Sequence, residues 1–349
     1  MAKDLSPREK LVMYSLVRAP SGTDRELSSF SGLKLSTVSA IRRRLAKRGY
    51  YARVRMPCLR GIGGEMLVVT YFYYKATVPM NLRLITGSKL VRDHKEVFWA
   101  GSEYTQALSL QLSMNLTDAK RNVAEIEELY TAQSFFDEGG ITFLTFPFEI
   151  SRIPVFFDYE PLLSQSFGIA GGGGALGYPT CAGSVPLTSA GKRVYRTLVE
   201  NPGMTDTEVS RVASVSQRTA TKLRERFEGE GLLKTVVVPN LAMLGFKMLV
   251  FDHAKLNLRI LARQRWKILD ELMRVKPPIF FAVGGDDVVA LTAYEDFETY
   301  RRCINSFSEI YKEEDIFVRE PKRLMFSLSE MKMLKEHVYG PIVRKALGV

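Results

Sequence analysis

Three cysteines in 349 residues are too few for a disulfide scaffold. Cys58, Cys181 and Cys303 form no C-x-x-C pair, and that pattern points to a reducing compartment. Histidine is just as scarce. His94, His253 and His337 have no metal-ligand spacing with cysteine or acidic residues, so neither a metal nor a cofactor is expected. No Ser/His/Asp or Cys/His arrangement can be assembled from the remaining residues. The first residues lack the apolar segment of a signal peptide. The longest apolar stretch, residues 66–74, is far short of the roughly 20 residues that a membrane span needs. These absences predict a soluble, cytoplasmic chain. Acidic residues are outnumbered too, 38 against 49 basic, for a formal net charge of +11. Such an excess suits a polyanionic partner. The apolar share of 46% is ordinary for a globular protein and excludes wholesale disorder.

What the sequence does contain is a repeat. Residues 5–68 align with residues 187–250 at an offset of 182 without a gap, giving 21 identities in 64 positions. Pro20/Pro202, Asp24/Asp206, Glu26/Glu208, Arg42/Arg224, Gly49/Gly231 and Gly63/Gly245 are among them. A period of this length means a duplicated unit. Each copy opens on three short helical patterns. In the first, Ser6-Pro7 reads as an N-cap with proline at N1, and Thr23-Asp24-x-Glu26 opens a second helix. Val38, Ile41 and Leu45 give the third helix its apolar stripe, and an alternating stretch with Arg53 and Arg55 follows Gly49. Three helices and a β-wing make a winged helix-turn-helix. The rest of each copy reads β-α-β-β-α-β, a ferredoxin-like order. In copy two a strand over 246–252, a helix over 256–275 and a last strand within 316–328 are predicted.

The expected fold class is therefore α+β, a tandem repeat of winged helix-turn-helix and ferredoxin-like domain. The expected bounds are 1–64 and 65–167 for the first pair of domains, and 187–244 and 245–349 for the second, which ends in a C-terminal helix. Residues 168–186 are glycine-rich and read as a flexible linker. Gly172, Gly174 and Gly177 spell G-x-G-x-x-G, but Tyr178-Pro179 stands where a dinucleotide-binding turn would open a helix. The run Tyr71-Phe72-Tyr73-Tyr74 has the chemistry to stack bases, yet its place in a sheet strand predicts burial, as for Phe98, Trp99, Phe280 and Phe281.

The charge has an address. Residues 5–64 carry a net +10, residues 187–246 carry +3, and the remainder is slightly acidic. This is the footprint of a DNA binder. On the third helix, Ser36, Ala40, Arg43 and Lys47 fall opposite the apolar stripe, flanked by Thr37, Ser39, Arg42, Arg44 and Arg48. Small residues there allow close approach to a groove, and arginine can pair with guanine. Arg53, Arg55 and Arg60 would meet phosphates. The equivalent helix of copy two offers Arg218, Thr219, Thr221, Lys222, Arg224 and Arg226, diluted by Glu225, Glu228 and Glu230.

The winged helix, the motif Pro239-x-Leu241-x-x-x-Gly245 and the turn Gly284-Gly285-Asp286-Asp287 together resemble the Lrp/AsnC transcription regulators. The resemblance covers both copies. It implies a DNA-binding transcription regulator that is not an enzyme, with double-stranded DNA as partner and a nucleoid-associated location. It also implies pairing of the two ferredoxin-like domains, as a homo-oligomer or as a pseudo-dimer within the chain. A small-molecule effector would sit near residues 284–287, while copy one has Ser102-Glu103-Tyr104-Thr105 there instead. Two alternatives compete. One is an architectural protein that coats DNA without sequence preference. The other is an enzyme similar to the siroheme decarboxylases, for which Arg92-Asp93-His94 before Val97-Phe98-Trp99 is a loose echo of a His- and Arg-bearing stretch.

Overall fold

The computed structural model describes residues 5–171, 181 and 183–349. Gly172, Gly174 and Gly177 lie outside the described residues. The first copy runs α1 (Pro7–Arg18), α2 (Asp24–Ser31), α3 (Leu35–Lys47), β1 (Tyr51–Pro57), β2 (Met66–Tyr74), α4 (Met80–Asp93), β3 (Val97–Ser102), β4 (Gln106–Ser113), α5 (Leu116–Ala132), β5 (Phe136–Pro147), β6 (Arg152–Phe156) and α6 (Glu160–Phe167). The second repeats that order: α7 (Ser189–Glu200), α8 (Asp206–Val212), α9 (Gln217–Gly229), β7 (Leu233–Pro239), β8 (Met248–Lys255), α10 (Ala262–Val275), β9 (Phe280–Gly284), β10 (Asp287–Tyr294), α11 (Phe297–Glu314), β11 (Lys322–Ser327), β12 (Lys332–Lys335) and α12 (Gly340–Leu347). Among the described residues no helix is long and apolar enough to cross a membrane.

Local chemistry sets the helix starts. Ser6 with Glu9, Thr23 with Glu26 and Thr205 with Glu208 each form a capping box, satisfying backbone donors that the first turn leaves open. Gly32 ends α2 in the left-handed region, where a side chain would be strained.

The chain divides into two compact units, and each draws on both copies. Unit 1 holds Met1–Arg53, Arg152–Tyr178 and Val236–Ser329. Its antiparallel sheet has the order β11-β8-β10-β9-β6. The first four strands are ferredoxin-like, and β6 of copy one adds to the edge strand β9, with Phe156 opposite Phe280. Helices α10 and α11 cover the sheet through Ile268, Leu269, Leu272 and Phe307. The winged helix of copy one belongs to this unit. Its α1 packs on α6, where the buried Tyr14 hydroxyl donates to the Glu160 carboxylate.

Unit 2 is built the same way from Val54–Ser151, Pro179–Thr235 and Glu330–Val349. Its sheet has the order β12-β3-β4-β2-β5, and here β12 of copy two closes the edge on β3, with Lys332 opposite Ser102. Leu90, Val91, Ile126 and Tyr130 pack over Phe72 and Tyr74. The winged helix of copy two belongs to this unit. The tie between α7 and α12 is made by Arg344 with Glu200 at 2.8 Å and by Lys192 Nζ with the Leu347 carbonyl at 2.8 Å.

Several expectations change. Residues 152–167 and 330–349 follow the two ferredoxin-like segments in sequence, but each lies in the other sheet's unit. Among the described residues neither copy forms a wing hairpin of its own, because β1 pairs with β7 in a two-stranded sheet. The helix expected from 256 begins at Ala262, since Leu256 makes an isolated β-bridge with Phe317 just beyond the strands. The aromatic run is buried as expected at Tyr71, Phe72 and Tyr74, while Tyr73 is 39% exposed. Cys58 and Cys181 are joined by a disulfide, against the expectation of reduced thiols. They stand 123 residues apart, so no local spacing announces the pair.

Leu291, at the centre of β10, is fully buried. Leu291→Ala is expected to destabilise unit 1 by about 2–5 kcal/mol, the loss typical of a core cavity. Urea unfolding measures this, and a loss below about 1 kcal/mol would show that the sheet interior is not packed as described.

Candidate nucleic-acid interface

In unit 1, α3 buries Val38, Ile41 and Leu45 against α1 and α2. Its opposite face is open: Ser36, Ala40, Arg43, Arg44, Lys47 and Arg48 are all exposed, and Thr37 is half-buried. Arg43, Lys47 and Arg48 form no ion pair among the described residues, whereas Arg44 reaches Glu9 at 2.8 Å.

Arg42 and Ser39 have a different task. Asp24, in the first turn of α2, accepts from the Ser39 hydroxyl and from Arg42 Nη1 at 2.5 Å. Those hydrogen bonds, Ser39 first, hold the Asp24 carboxyl below its usual range. The contact fixes α2 against α3 and so aims the exposed face. Sequence reasoning placed both residues on the DNA and missed the clamp. The signal that could have found it is the repeat itself, which keeps Asp24 and Arg42 as Asp206 and Arg224.

Copy two shows the same clamp in unit 2. Arg224 Nε lies 2.8 Å from Asp206 Oδ1, and Thr221 Oγ1 donates to Asp206 Oδ2 at 2.8 Å. Arg224 also holds Glu228 at 2.9 Å, and Arg226 holds Glu230 at 2.8 Å. Thr219 bonds with Ser216 at the N-cap. Of the six expected residues only Arg218 and Lys222 are exposed without a partner among the described residues.

The arginines expected in a wing stand elsewhere. Arg53 is half-buried and Arg55 is 8% exposed, because β1 is a paired strand. Arg60 lies on the turn after β1 and pairs with Glu149 at 3.2 Å.

The Gly284–Asp287 turn is a tight hairpin with Gly285 at φ +61°. Its acids already have partners. Asp287 contacts His253 Nε2 at 2.7 Å and Lys255 Nζ at 2.9 Å, and Asp286 contacts Lys255 at 3.1 Å. Burial alone would raise the Asp287 pKa, but these hydrogen bonds outweigh it and hold the group ionised.

Two small cavities lie between helices and sheet, about 60 Å³ beside Asp252 in unit 1 and about 30 Å³ beside Thr70 in unit 2. A larger polar groove of about 780 Å³ opens in unit 2, lined by His94, Lys95, Asn122, Glu125, Arg344 and Lys345. His94 faces Glu125 across 4.0 Å. The matching position in copy two is Lys276, buried and paired with Glu295 at 2.9 Å.

No known protein family matches the chain by sequence, and no curated protein does. Its fold, winged helices joined to ferredoxin-like domains, is shared with solved structures over nearly the whole chain. The siroheme decarboxylase NirDL shares it over 98% of this chain and 99% of that one, at TM-score 0.52 and 11% identity. NirDL in complex with an iron-uroporphyrin III analogue covers the same 98% and 99%, at TM-score 0.53 and 10% identity. The AsnC structure from E. coli covers 41% of this chain and 93% of its own, at TM-score 0.33 and 14% identity. The full-length likeness overturns the expectation that the chain is not an enzyme. That expectation rested on the basic recognition helix, and a decarboxylase carries the same architecture from end to end.

The clamps give a pH dependence. A carboxyl whose folded pKa is depressed contributes stability above its unfolded pKa of about 3.9 and loses it as pH falls through the folded value. Asp24 and Asp206 are both depressed. Acidification below about pH 4 is expected to loosen α3 and α9 first, and Asp24→Asn should flatten this response for α3 alone. Amide NMR signals between pH 6 and 2.5 provide the readout, and an unchanged acid response in the variant would refute the clamp.

Proposed function

We propose that the chain is a DNA-binding transcription regulator made of two fused Lrp/AsnC-like units, holding duplex DNA mainly through α3. One observation carries this reading: an anchored helix presents Arg43, Arg44, Lys47 and Arg48 beside the small residues Ser36 and Ala40 on its open face. Cations at this spacing suit phosphates and guanine edges, and small residues let the helix approach the groove. Arg218 and Lys222 on α9 supply a weaker second contact. Arg42 and Arg224 hold the helices in place, and Arg53 and Arg55 stay within the β1 strand. The exchange of β6 and β12 supports two copies that work as an internal pair. A cytoplasmic, nucleoid-associated location follows from this reading. At residues 284–287 the hairpin and its own cations account for every side chain, so regulation by an effector there has little support.

A second reading has one specific observation in its favour. The full-length likeness to NirDL is accompanied by His94 beside a groove whose volume lies in the range of ligand sites, whereas the cavities under the helices are far smaller. In that reading a tetrapyrrole carrying carboxylates would lie against Lys95 and Arg344.

Mobility shifts at fixed salt test the first reading. Arg43→Ala with Lys47→Ala should lower affinity roughly ten- to hundredfold and reduce the salt slope by about one per lost phosphate contact. Arg218→Ala with Lys222→Ala should cost less. The reverse ranking would defeat the assignment to α3, and equal affinity for random duplexes would favour a DNA-coating role. Absorbance titration with iron-uroporphyrin III tests the second reading: a spectral change absent in His94→Ala supports it, and no change removes it.

A further inference from the structure

Cys58 and Cys181 both lie in unit 2. Cys58 is fully buried at the end of β1, and Cys181 is 7% exposed shortly before α7. The sulfur of Cys181 fits against the turn over 58–64 because residue 61 is glycine. A Cβ at Gly61 would stand 2.8 Å from Cys181 Sγ and 2.6 Å from Leu232 Cδ2. The Val185 amide donates to the Gly61 carbonyl at 3.0 Å. This hydrogen bond ties the segment before α7 to the turn. The helix itself is held by other means, through Lys192 with Leu347 and Arg344 with Glu200. The third cysteine, Cys303, belongs to unit 1 and has no disulfide partner.

We propose that Cys58 and Cys181 form a reversible thiol-oxidation site that latches the segment before α7 onto the turn after β1. Its oxidant is a low-molecular-weight disulfide and its reductant a low-molecular-weight thiol or dithiol. Oxidation begins at Cys181, the less buried sulfur. Its thiolate attacks the small disulfide, whose S–S bond breaks, and one small thiolate leaves. The Cys58 thiolate then attacks the Cys181 sulfur of the mixed disulfide and expels the second small thiolate. Two protein thiols give up two electrons and two protons, and the small disulfide becomes two thiols. Reduction runs the same steps backwards, starting again at the Cys181 sulfur. In the reduced state the Val185–Gly61 hydrogen bond loses the covalent tie beside it, so opening of the segment becomes a local event. This site stands independently of whether the chain binds DNA.

Amide exchange on the full-length chain tests it, with oxidised and reduced glutathione setting the two states. Reduction should speed exchange at Val185 by about tenfold or more. The Cys58 amide, which donates to the Leu232 carbonyl at 2.7 Å between paired strands, should stay protected and report an intact fold. Cys181→Ser should exchange at the fast rate in both states, and Cys303→Ser should behave as wild type. Equal protection of Val185 in both states would overturn the proposal. So would alkylation of both Cys58 and Cys181 by iodoacetamide after treatment with oxidised glutathione.

Discussion

The architecture depends on closing one open sheet edge in each unit. A ferredoxin-like sheet ends on its second strand, here β9 or β3, with a row of backbone donors and acceptors facing outward. Such an edge is a liability unless something pairs with it. β6 and β12 supply the pairing, and each comes from the opposite copy of the repeat. The compact units therefore cannot coincide with the sequence repeats. The short helices α6 and α12 follow these strands directly and dock on α1 and α7, so each winged helix takes its seat from the same exchange.

Within this frame the two helix-turn-helix segments share their mechanics and differ in their surface. Asp24 with Arg42 and Asp206 with Arg224 repeat one clamp, which shows that the clamp belongs to the fold. The exposed face has been rewritten. Arg43 corresponds to Glu225, Lys47 to Gly229 and Arg48 to Glu230, while Ser36 and Ala40 correspond to Arg218 and Lys222. Exposed cations reach the C-terminal end of α3, but on α9 that end is acidic. Phosphate attraction falls steeply when acids stand beside the cations, because each counter-charge removes a contact with the polyanion. Identical geometry thus carries unequal electrostatics.

Much of this was legible in the sequence. The offset of 182 exposed the repeat, apolar spacing located most helices and strands, and local charge singled out α3. Four things were not legible, each for a physical reason. Strand exchange is a choice between two equivalent edges, and the pattern of β6 reads the same against either sheet. The role of an arginine on a recognition helix depends on whether a carboxylate lies within reach across a turn, and Asp24 is 18 residues away. Arg53 and Arg55 were read as a wing because alternation signals a strand without naming its partner, and that partner, β7, lies in the second copy. The disulfide joins a turn to a distant segment and leaves no periodic trace.

Fold likeness to an enzyme and an exposed basic face on α3 do not contradict each other, because function resides in sites that a fold only carries. What separates the possibilities is where this chain leaves polar groups unspent. Copy two pairs several of its cations: Lys276 with Glu295, Arg323 with Asp252, Lys255 with Asp286 and Asp287, Arg224 with Asp206 and Glu228. Closed pairs of this kind fix local geometry and leave little charge for a partner. Copy one keeps Arg43, Lys47 and Arg48 open on α3, and keeps His94 at the mouth of a wide groove where copy two has a buried lysine. The groups to interrogate are therefore those that copy one presents and copy two has neutralised.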